Sequence, residues 1–280
     1  MKLGTNSITA LCRKYRYVTR VVLFVILIIC GFLLVYSLRP APETELLQPL
    51  PQDPAVKVYF NHNQASLYED PYRHFKRKGD NLEQQIIDAI NQAHFTVDVA
   101  VMEFRLPNVA KALIAQHLAG VKVRLLIDNK YNKVLADYTP EEIAKMNQHD
   151  KSAFEELKRY PADAVALLRE SGIEIRDDTS GGATKGSRLM HHKFIVVDGK
   201  NTIITSANLT TSDLHGDFNS LESRGNPNNM VVVTDNTELA KAFTSEFNYM
   251  WQGLFKIHKP YRPPVTIPVG ERTITTGLTP

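Results

Sequence analysis

Residues 189–208 read LMHHKFIVVDGKNTIITSAN and have the pattern of a β-hairpin that carries polar side chains among apolar ones. Because side chains two apart on a strand point the same way, His191 and Lys193 project from one face, opposite the apolar Phe194. The Asp-Gly pair at 198–199 is a strong turn signal. The stretch therefore predicts two antiparallel strands joined by a tight turn.

The returning strand brings two more polar residues, Ser206 and Asn208, to the end of the hairpin where His191 lies. Each residue alone has an ordinary role: Asn208 suits a cap or turn, Asp198 suits the turn itself, and Lys193 suits a solvated surface. Together they need another explanation, because apolar neighbours bury the hairpin and buried polar groups need partners or a purpose. We interpret the cluster as a functional site.

The sequence around the hairpin alternates helix and strand patterns. Helix patterns occupy residues 80–94, 107–119 and 162–171, and buried-strand patterns occupy residues 95–104, 121–128 and 173–177. Asp80 is the predicted cap of the first helix. This alternation is typical of an α/β fold in which helices cover both faces of a mixed or parallel sheet.

A polar, charged insert at about residues 130–160 interrupts this alternation. Thr139 and Pro140 precede EEIAKM as a helix start requires, so the insert predicts one or two surface helices. A mobile flap is the alternative interpretation.

An uncharged apolar run, VVLFVILIICGFLLVYSL, occupies residues 21–38, close to the roughly 20 residues that cross a bilayer as a helix. A cleaved signal peptide is the alternative, but its apolar segment is usually about 7 to 15 residues long and ends in small residues. Residues 1–20 carry five basic residues and no acidic one, which predicts a cytoplasmic tail. We expect a single-pass transmembrane anchor with the catalytic body on the extracytoplasmic side.

The chain beyond the apolar run is close to neutral. After residue 38 there are 28 Lys and Arg against 30 Asp and Glu, a formal charge of −2, which argues weakly against indiscriminate nucleic-acid binding. Residues 39–55 contain five prolines and are predicted to form a semi-rigid linker. Both cysteines, Cys12 and Cys30, precede this linker, so the body cannot use a disulfide.

The polar residues of the hairpin resemble the H-x-K-x4-D-x6-G-S-x-N motif of the phospholipase D superfamily. The matching residues are His191, Lys193, Asp198, Ser206 and Asn208. The resemblance extends over residues 56–255 and implies an α/β/α sandwich with a mixed β-sheet, here preceded by the transmembrane helix. Residues 256–280 form a C-terminal extension in this interpretation.

The sequence departs from the superfamily's pattern at two positions. Thr205 stands where the motif usually has glycine. Many members also carry a glutamate in an N-x-E-N segment, which is taken to orient the nucleophilic histidine, and the matching stretch NPNNM places Asn228 there. Asn228 can accept a hydrogen bond but offers no negative charge to an imidazolium. Glu222, close in sequence, is the candidate substitute.

The resemblance implies a mechanism in which one histidine attacks phosphorus and a second histidine protonates the leaving oxygen. Imidazole suits both roles near neutral pH. Lys193, Ser206 and Asn208 are the expected phosphate-binding residues, and His191, Lys193 and Asp198 are the expected catalytic residues. No metal and no cofactor are expected, and His192 is expected to face the opposite side of the strand.

A single copy of the motif implies that a complete site needs pairing. A homodimer with two His191 side chains at a twofold axis is the simplest solution. A second phospholipase D-like chain is the alternative, since the tail after Phe255 resembles a linker that stops where a second half would begin.

Three functions remain open for this site. The first is a membrane-anchored phosphodiesterase that hydrolyses phospholipid headgroups, the second is a metal-independent endonuclease acting on DNA or RNA, and the third is a catalytically silent binding domain. A basic groove formed by Lys185, Arg188 and Arg224 would favour nucleic acid, whereas an apolar mouth would favour lipid.

Overall fold

A computed structural model describes residues 5–37, 47–49, 51–180 and 190–278. The chain divides into two compact units, Met1–Glu45 and Leu46–Pro280. The predicted linker at 39–55 falls partly outside the described residues, at positions 39–46 and 50.

The first unit contains one helix, α1 (Thr5–Ser37), which includes most of the apolar run. Across the described ranges, no helix combines the length and the apolar character that crossing a membrane requires.

The second unit is a mixed α/β structure. Its strands are β1 (Val56–Phe60), β2 (Leu67–Glu69), β3 (Lys76–Lys78), β4 (Thr96–Val101), β5 (Lys122–Ile127), β6 (Glu174–Asp177), β7 (Lys193–Val197), β8 (Asn201–Thr205), β9 (Asn229–Val233), β10 (Val265–Val269) and β11 (Arg272–Thr276). Its helices are α2 (Leu82–Asn91), α3 (Pro107–Leu118), α4 (Pro140–Lys145), α5 (Gln148–Leu157), α6 (Ala164–Glu170), α7 (Thr211–Leu214) and α8 (Thr237–Trp251).

Seven strands form the central sheet in the order β1-β9-β8-β7-β4-β5-β6. The pairs β4–β5 and β5–β6 are parallel, and the other neighbours in this sheet are antiparallel. One core joins this sheet to α2, α3 and α6, and a second core joins it to α8. The prediction of an α/β fold with a mixed sheet is therefore confirmed.

The predicted hairpin is present as β7 and β8, which pair with Phe194 opposite Ile204. Ile195 enters the core beneath α2 and α3, while Phe194 enters the core beneath α8. Three residues, 198–200, separate the paired Val197 and Asn201, and the first two, Asp198 and Gly199, have positive φ angles of 53° and 60°. The predicted division of the strand between two faces is confirmed.

Helix α2 begins one residue later than the predicted cap suggested. Asn81, not Asp80, caps the helix by accepting the backbone N–H of Gln84 at 3.0 Å. The carboxylate of Asp80 instead accepts the backbone N–H of Phe60 at 2.8 Å, which fastens the end of β1. Long-range bonding therefore overrides the local capping pattern.

The insert forms two helices, as one of its interpretations predicted, whereas the C-terminal extension differs from its interpretation as a linker. The insert forms α4, capped by Thr139 as predicted, and α5. The C-terminal extension forms the β10–β11 hairpin, and its Ile267 and Val269 are buried in the same core as Phe247. The extension therefore belongs to the folded unit rather than to a linker.

Candidate active site

The histidine and lysine of the motif lie at the start of β7, where neighbouring strands hold the backbone. The carbonyl oxygen of His192 accepts the backbone N–H of Met102, just beyond β4, at 3.0 Å. The Asp128 carboxylate, at the end of β5, accepts the backbone N–H of Met190 at 2.8 Å. These two bonds fix the backbone on either side of His191, whose own side chain is exposed.

Lys193 is buried, with 8% of its surface exposed, and its ammonium donates to the carbonyl oxygen of His191 at 3.3 Å. Burial lowers the pKa of Lys193, and the nearby carboxylates of Asp213 and Glu103 oppose this shift. Burial, then the charges of Lys193 and His192, lower the pKa of His191, while Asp213 raises it. The imidazole of His191 is therefore biased towards its neutral form, which is the nucleophilic one.

Ser206 and Asn208 follow β8, at the end of the hairpin where His191 lies. The Ser206 hydroxyl donates to Asn228 Oδ1 at 2.7 Å and accepts the backbone N–H of Asn229 at 3.0 Å. The backbone N–H of Asn208 donates to Asp213 Oδ2 at 2.7 Å. The side-chain Oδ1 of Asn208 is buried and has no hydrogen-bond partner within the described chain, so this oxygen can accept from a donor that enters the site.

The structure does not bring Asp198 to this site, so its position gives no support to the predicted catalytic role. Asp198 lies at the far end of β7, where its carboxylate accepts the backbone N–H groups of His94, Phe95 and Thr96. Although burial raises the pKa of Asp198, these backbone donors hold it below its ordinary value. The residue fastens the hairpin turn to the start of β4, because its two oxygens can accept several donors at once.

Asn228, the predicted histidine-orienting residue, bonds instead to the loop that follows the hairpin. Its Oδ1 accepts from Ser206, and its Nδ2 donates to the carbonyl oxygen of Asp213 at 3.0 Å. Its backbone N–H donates to Asn61 Oδ1 at 2.8 Å. Asn228 therefore links Ser206 to the segment containing Asp213. Glu222, the sequence candidate for replacing the usual glutamate, is exposed.

Two acidic residues near the motif were missed by the sequence analysis. Glu103 follows β4 and bonds to Arg105 at 3.1 Å, and burial raises its pKa while Arg105 opposes that shift. Asp213 lies in the short helix α7 and is buried. A polar residue just after a central strand is a usable signal for Glu103, but no local pattern distinguishes Asp213.

A cavity of about 690 Å³ opens beside Asn208 and Asp213. Its apolar and aromatic lining includes Met102, just beyond β4. The insert contributes most of the rest of this lining, namely Tyr131, Tyr138, Met146, Phe154 and Leu157. Four cations and five carboxylates also line it, among the described residues. Three of these cations pair within the cavity: Arg105 with Glu103 at 3.1 Å, Lys133 with Glu142 at 2.8 Å, and Lys130 with Asp150 at 3.6 Å.

Of the three residues predicted to form a basic groove, Arg224 lies within the described part of the chain. Lys185 and Arg188 lie outside the described residues. The Arg224 guanidinium donates to the carbonyl oxygen of Lys78 at 3.4 Å, which ties it to the β2–β3 hairpin.

His192 faces the opposite side of β7, as predicted. Its Nε2 lies 2.9 Å from Oε1 of Glu246, a fully buried residue of α8. Lys259 and Arg262 of the C-terminal extension also bond to this carboxylate. Although burial raises the pKa of Glu246, the bonds from His192 and Lys259 lower it to about 2. The extension is thereby connected to the residue next to His191.

A histidine and a buried lysine at the start of one strand, with serine and asparagine beyond its hairpin partner, define the class of phospholipase D-like domains. The family model described as "Cardiolipin synthase, PLD-like domain" matches residues 86–251, more than half of the chain. The chain therefore belongs to this family of phospholipase D-like domains.

Curated relatives carry the name mitochondrial cardiolipin hydrolase. The Xenopus laevis protein is 28% identical over 160 residues, which cover 57% of this chain and 56% of that protein. The Xenopus tropicalis protein is 26% identical over 221 residues, covering 79% of this chain and 82% of that protein. The first match thus spans little more than half of its relative's length. The predicted membership of the phospholipase D superfamily is confirmed.

Among solved structures, similarity is found to Nuc from Salmonella typhimurium, a phospholipase D family member. Nuc is 22% identical to this chain, and the two structures superpose with a TM-score of 0.45. The match covers 72% of this chain and 96% of Nuc.

Proposed function

We propose that this chain hydrolyses phosphodiester bonds in phospholipid headgroups, with His191 as the nucleophile. An imidazole nitrogen forms a bond to phosphorus while the bond from phosphorus to the headgroup oxygen breaks. A second histidine gives its proton to that oxygen, so the headgroup alcohol leaves. Water then donates a proton to the second histidine and its oxygen to phosphorus, which releases phosphatidic acid and regenerates His191.

The electrostatics of His191 support the nucleophilic role. Burial and the charges of Lys193 and His192 lower the pKa of His191, which increases the neutral fraction near pH 7. Lys193 suits the phosphate as a point charge, and the side-chain Nδ2 of Asn208 is the expected donor to a nonbridging oxygen. Ser206 already uses its hydroxyl hydrogen on Asn228, so it positions the loop and contacts phosphate only after rotating.

The cavity beside Asn208 is the observation that carries the choice of lipid. Proteins that bind single-stranded nucleic acid line their grooves with unpaired cations that follow the phosphate backbone. Here Arg105, Lys130 and Lys133 pair with carboxylates, and aromatic and apolar side chains form much of the wall. Such a surface suits an amphiphilic headgroup better than a polyanion. The relatives named as cardiolipin hydrolases support this choice, since cardiolipin is a phospholipid.

The predicted membrane anchor is part of the same proposal. The side chains of α1 are exposed from Val18 to Leu34, among them Phe24, Leu27 and Phe32. The apolar run reaches Leu38, which lies outside the described residues. We propose that the N-terminus is cytoplasmic and the catalytic body extracytoplasmic, because basic residues precede the run and no acidic residue does. Retention of the full chain in membranes after alkaline carbonate extraction tests the anchor.

The second histidine of the mechanism comes from another chain. A homodimer that juxtaposes two His191 side chains is the simplest assembly, and a different phospholipase D-like chain is the other solution. Mixing wild-type protein with excess His191→Ala protein tests the homodimer, because mixed dimers then retain one histidine and activity falls faster than the wild-type fraction.

A product-resolved cleavage assay tests the function. The full chain in mixed micelles is offered labelled phospholipid and labelled single-stranded DNA, each with and without EDTA. We expect headgroup release by the wild type, its loss in His191→Ala, and no loss in Lys200→Ala, which alters an exposed lysine at the far end of the hairpin. Shortened DNA without headgroup release would assign the chain to the endonucleases, and no product would favour a silent binding domain.

A further inference from the structure

The position that usually holds a histidine-orienting glutamate is occupied by Asn228, and its amide carries no charge. Both ends of that amide are engaged, with Ser206 and with the carbonyl oxygen of Asp213. Nucleophilic attack by His191 converts a neutral imidazole into a cation as the bond to phosphorus forms. A negative charge near that ring would lower the energy of this step.

Asp213 is a buried carboxylate within the segment that Asn228 fastens. Its Oδ2 accepts the backbone N–H of Asn208 at 2.7 Å, and its Oδ1 accepts Nδ2 of Asn226 at 2.7 Å. Its backbone carbonyl accepts from the side chains of Asn61 and Asn228. The carboxylate is therefore held rigidly, and the donors that hold it in the described part of the chain are neutral amides.

The charge of Asp213 acts on both basic residues of the motif, His191 and Lys193. It opposes the effect of burial on His191 and on Lys193. Neutral donors do not compensate the charge of a carboxylate, so in a buried site that charge favours the cationic forms of nearby basic groups. Asp213 also lines the same cavity as Asn208, which places it beside the proposed substrate.

We infer that Asp213 is the positioning residue that supplies the negative charge missing at Asn228, and that it stabilises the cationic form of His191 and keeps Lys193 charged. This inference rests on the proposed function. Asp213 contacts the motif by its hydrogen bond with Asn208 and does not belong to the N-x-E-N segment. In this inference, the negative charge near the histidine therefore comes from a different part of the chain.

The other carboxylates near the motif fit this role less well. Glu103 bonds to the guanidinium of Arg105, and burial raises its pKa, so its charge is both paired and reduced. Glu222 is exposed, where solvent screens its charge. The charged groups that act on His191 are Lys193, His192 and Asp213, and Asp213 is the acidic one.

The test is the titration of His191 followed by NMR of its imidazole Cε1–Hε1 group in the full chain. Asp213→Asn removes the charge, so we expect the pKa of His191 to fall and kcat to drop about tenfold or more, because the imidazolium loses its stabilisation. The acidic limb of the kcat/KM profile should move to lower pH. Asp213→Glu should retain most of both properties.

A second substitution separates charge from structure, because Asp213→Asn also perturbs one of two hydrogen bonds. Adding Asn228→Glu to Asp213→Asn restores a carboxylate at the usual position, and we expect it to raise the pKa of His191 again and to recover part of kcat. Asp217→Asn, which alters an exposed aspartate of the same loop, is the matched control and should leave the titration unchanged.

The outcomes distinguish this inference from the proposed function. An unshifted His191 titration in folded Asp213→Asn overturns the inference at any level of activity. A shifted titration that Asn228→Glu restores supports the charge relationship. If that shift occurs in a protein that cleaves no phosphodiester, the proposed function is overturned and the electrostatic role of Asp213 stands.

Discussion

The carboxylate of Asp198 accepts the backbone N–H of Phe95 at 2.7 Å, at the end of β7 away from His191. The same carboxylate accepts the neighbouring N–H groups of His94 and Thr96. Asp198 thus connects the hairpin turn to the start of β4 through hydrogen bonds. The motif combines groups for chemistry at one end of the hairpin with a structural group at the other.

Asp198→Asn should lower stability and leave catalysis by the folded protein within about twofold. The side-chain amide of asparagine can accept fewer of the three N–H groups than the carboxylate does. We therefore expect the free energy of unfolding to fall by about 1 kcal/mol at this partly exposed position. The pKa of Asp198 is lower in the folded protein than in the unfolded chain, so the ionised carboxylate stabilises the fold. This stabilisation is present above the unfolded pKa of about 3.9 and is lost as pH falls through the folded pKa. Urea unfolding at pH 7 and pH 3 measures both effects.

The stability difference between wild type and Asp198→Asn should therefore be smaller at pH 3 than at pH 7. If Asp198→Asn kept its stability but lost activity, Asp198 would instead have the catalytic role that the motif predicts.

Glu246→Gln should destabilise the protein by about 3 kcal/mol or more, because it removes the buried carboxylate that bonds to the buried ammonium of Lys259. The folded pKa of about 2 means that this stabilisation is present above the unfolded value of about 4.3 and declines as pH falls towards 2. Activity should fall as well, since His192 adjoins His191. Thermal unfolding and headgroup release measure the two effects.

Glu238→Gln is the matched control for Glu246→Gln, since Glu238 is exposed on the same helix. Equal stability losses in the two variants would contradict the role of the buried charge network.

Tyr68→Phe should lower the free energy of unfolding by about 1 to 3 kcal/mol, because it removes the hydroxyl that bonds to Nδ1 of the buried His215. The Tyr68 hydroxyl bonds to His215 Nδ1 at 2.8 Å, and His215 Nε2 lies 2.8 Å from Glu83 Oε2. This network joins β2 to the end of α7, next to Asp213. Chemical denaturation measures the loss, and Tyr261→Phe, at an exposed tyrosine, should be close to neutral.

Removing the carboxylates that pair with lysines in the cavity should create nucleic-acid binding. In the double variant Glu142→Gln, Asp150→Asn, the ammonium groups of Lys133 and Lys130 lose these partners. We expect the variant to bind an oligothymidylate several-fold more tightly than the wild type at low salt, with a steeper salt dependence. Fluorescence anisotropy at several salt concentrations measures the change. Tight, salt-sensitive binding by the wild type would contradict the lipid assignment.

The parts of the fold that follow from local sequence were predictable. The β7–β8 hairpin, the α3 start at Pro107 and the cap at Thr139 each depend on residues close together in sequence. Side-chain alternation along one strand also separated His192 from His191 correctly. Short-range periodicity and turn chemistry decide such features.

Contacts between distant segments were not predictable from the sequence. Asn61 bonds to the carbonyl oxygen of Asp213, and Lys259 bonds to Glu246 across the second core. The register of these contacts depends on how whole elements pack, and no periodic pattern encodes it. For the same reason Asp213 was missed while its neighbour Asn208, which belongs to a motif, was found.

The most direct test of the proposed chemistry is to locate the covalent intermediate. The full chain is incubated with a fluorescent short-chain phosphatidylcholine, quenched in alkaline denaturant and digested, and the modified peptide is sequenced by mass spectrometry. We expect a phosphatidyl group on His191, distinguished from His192 by fragment ions, and no adduct in His191→Gln. Headgroup release at the wild-type rate by His191→Gln, or an adduct on another residue, would contradict His191 as the nucleophile.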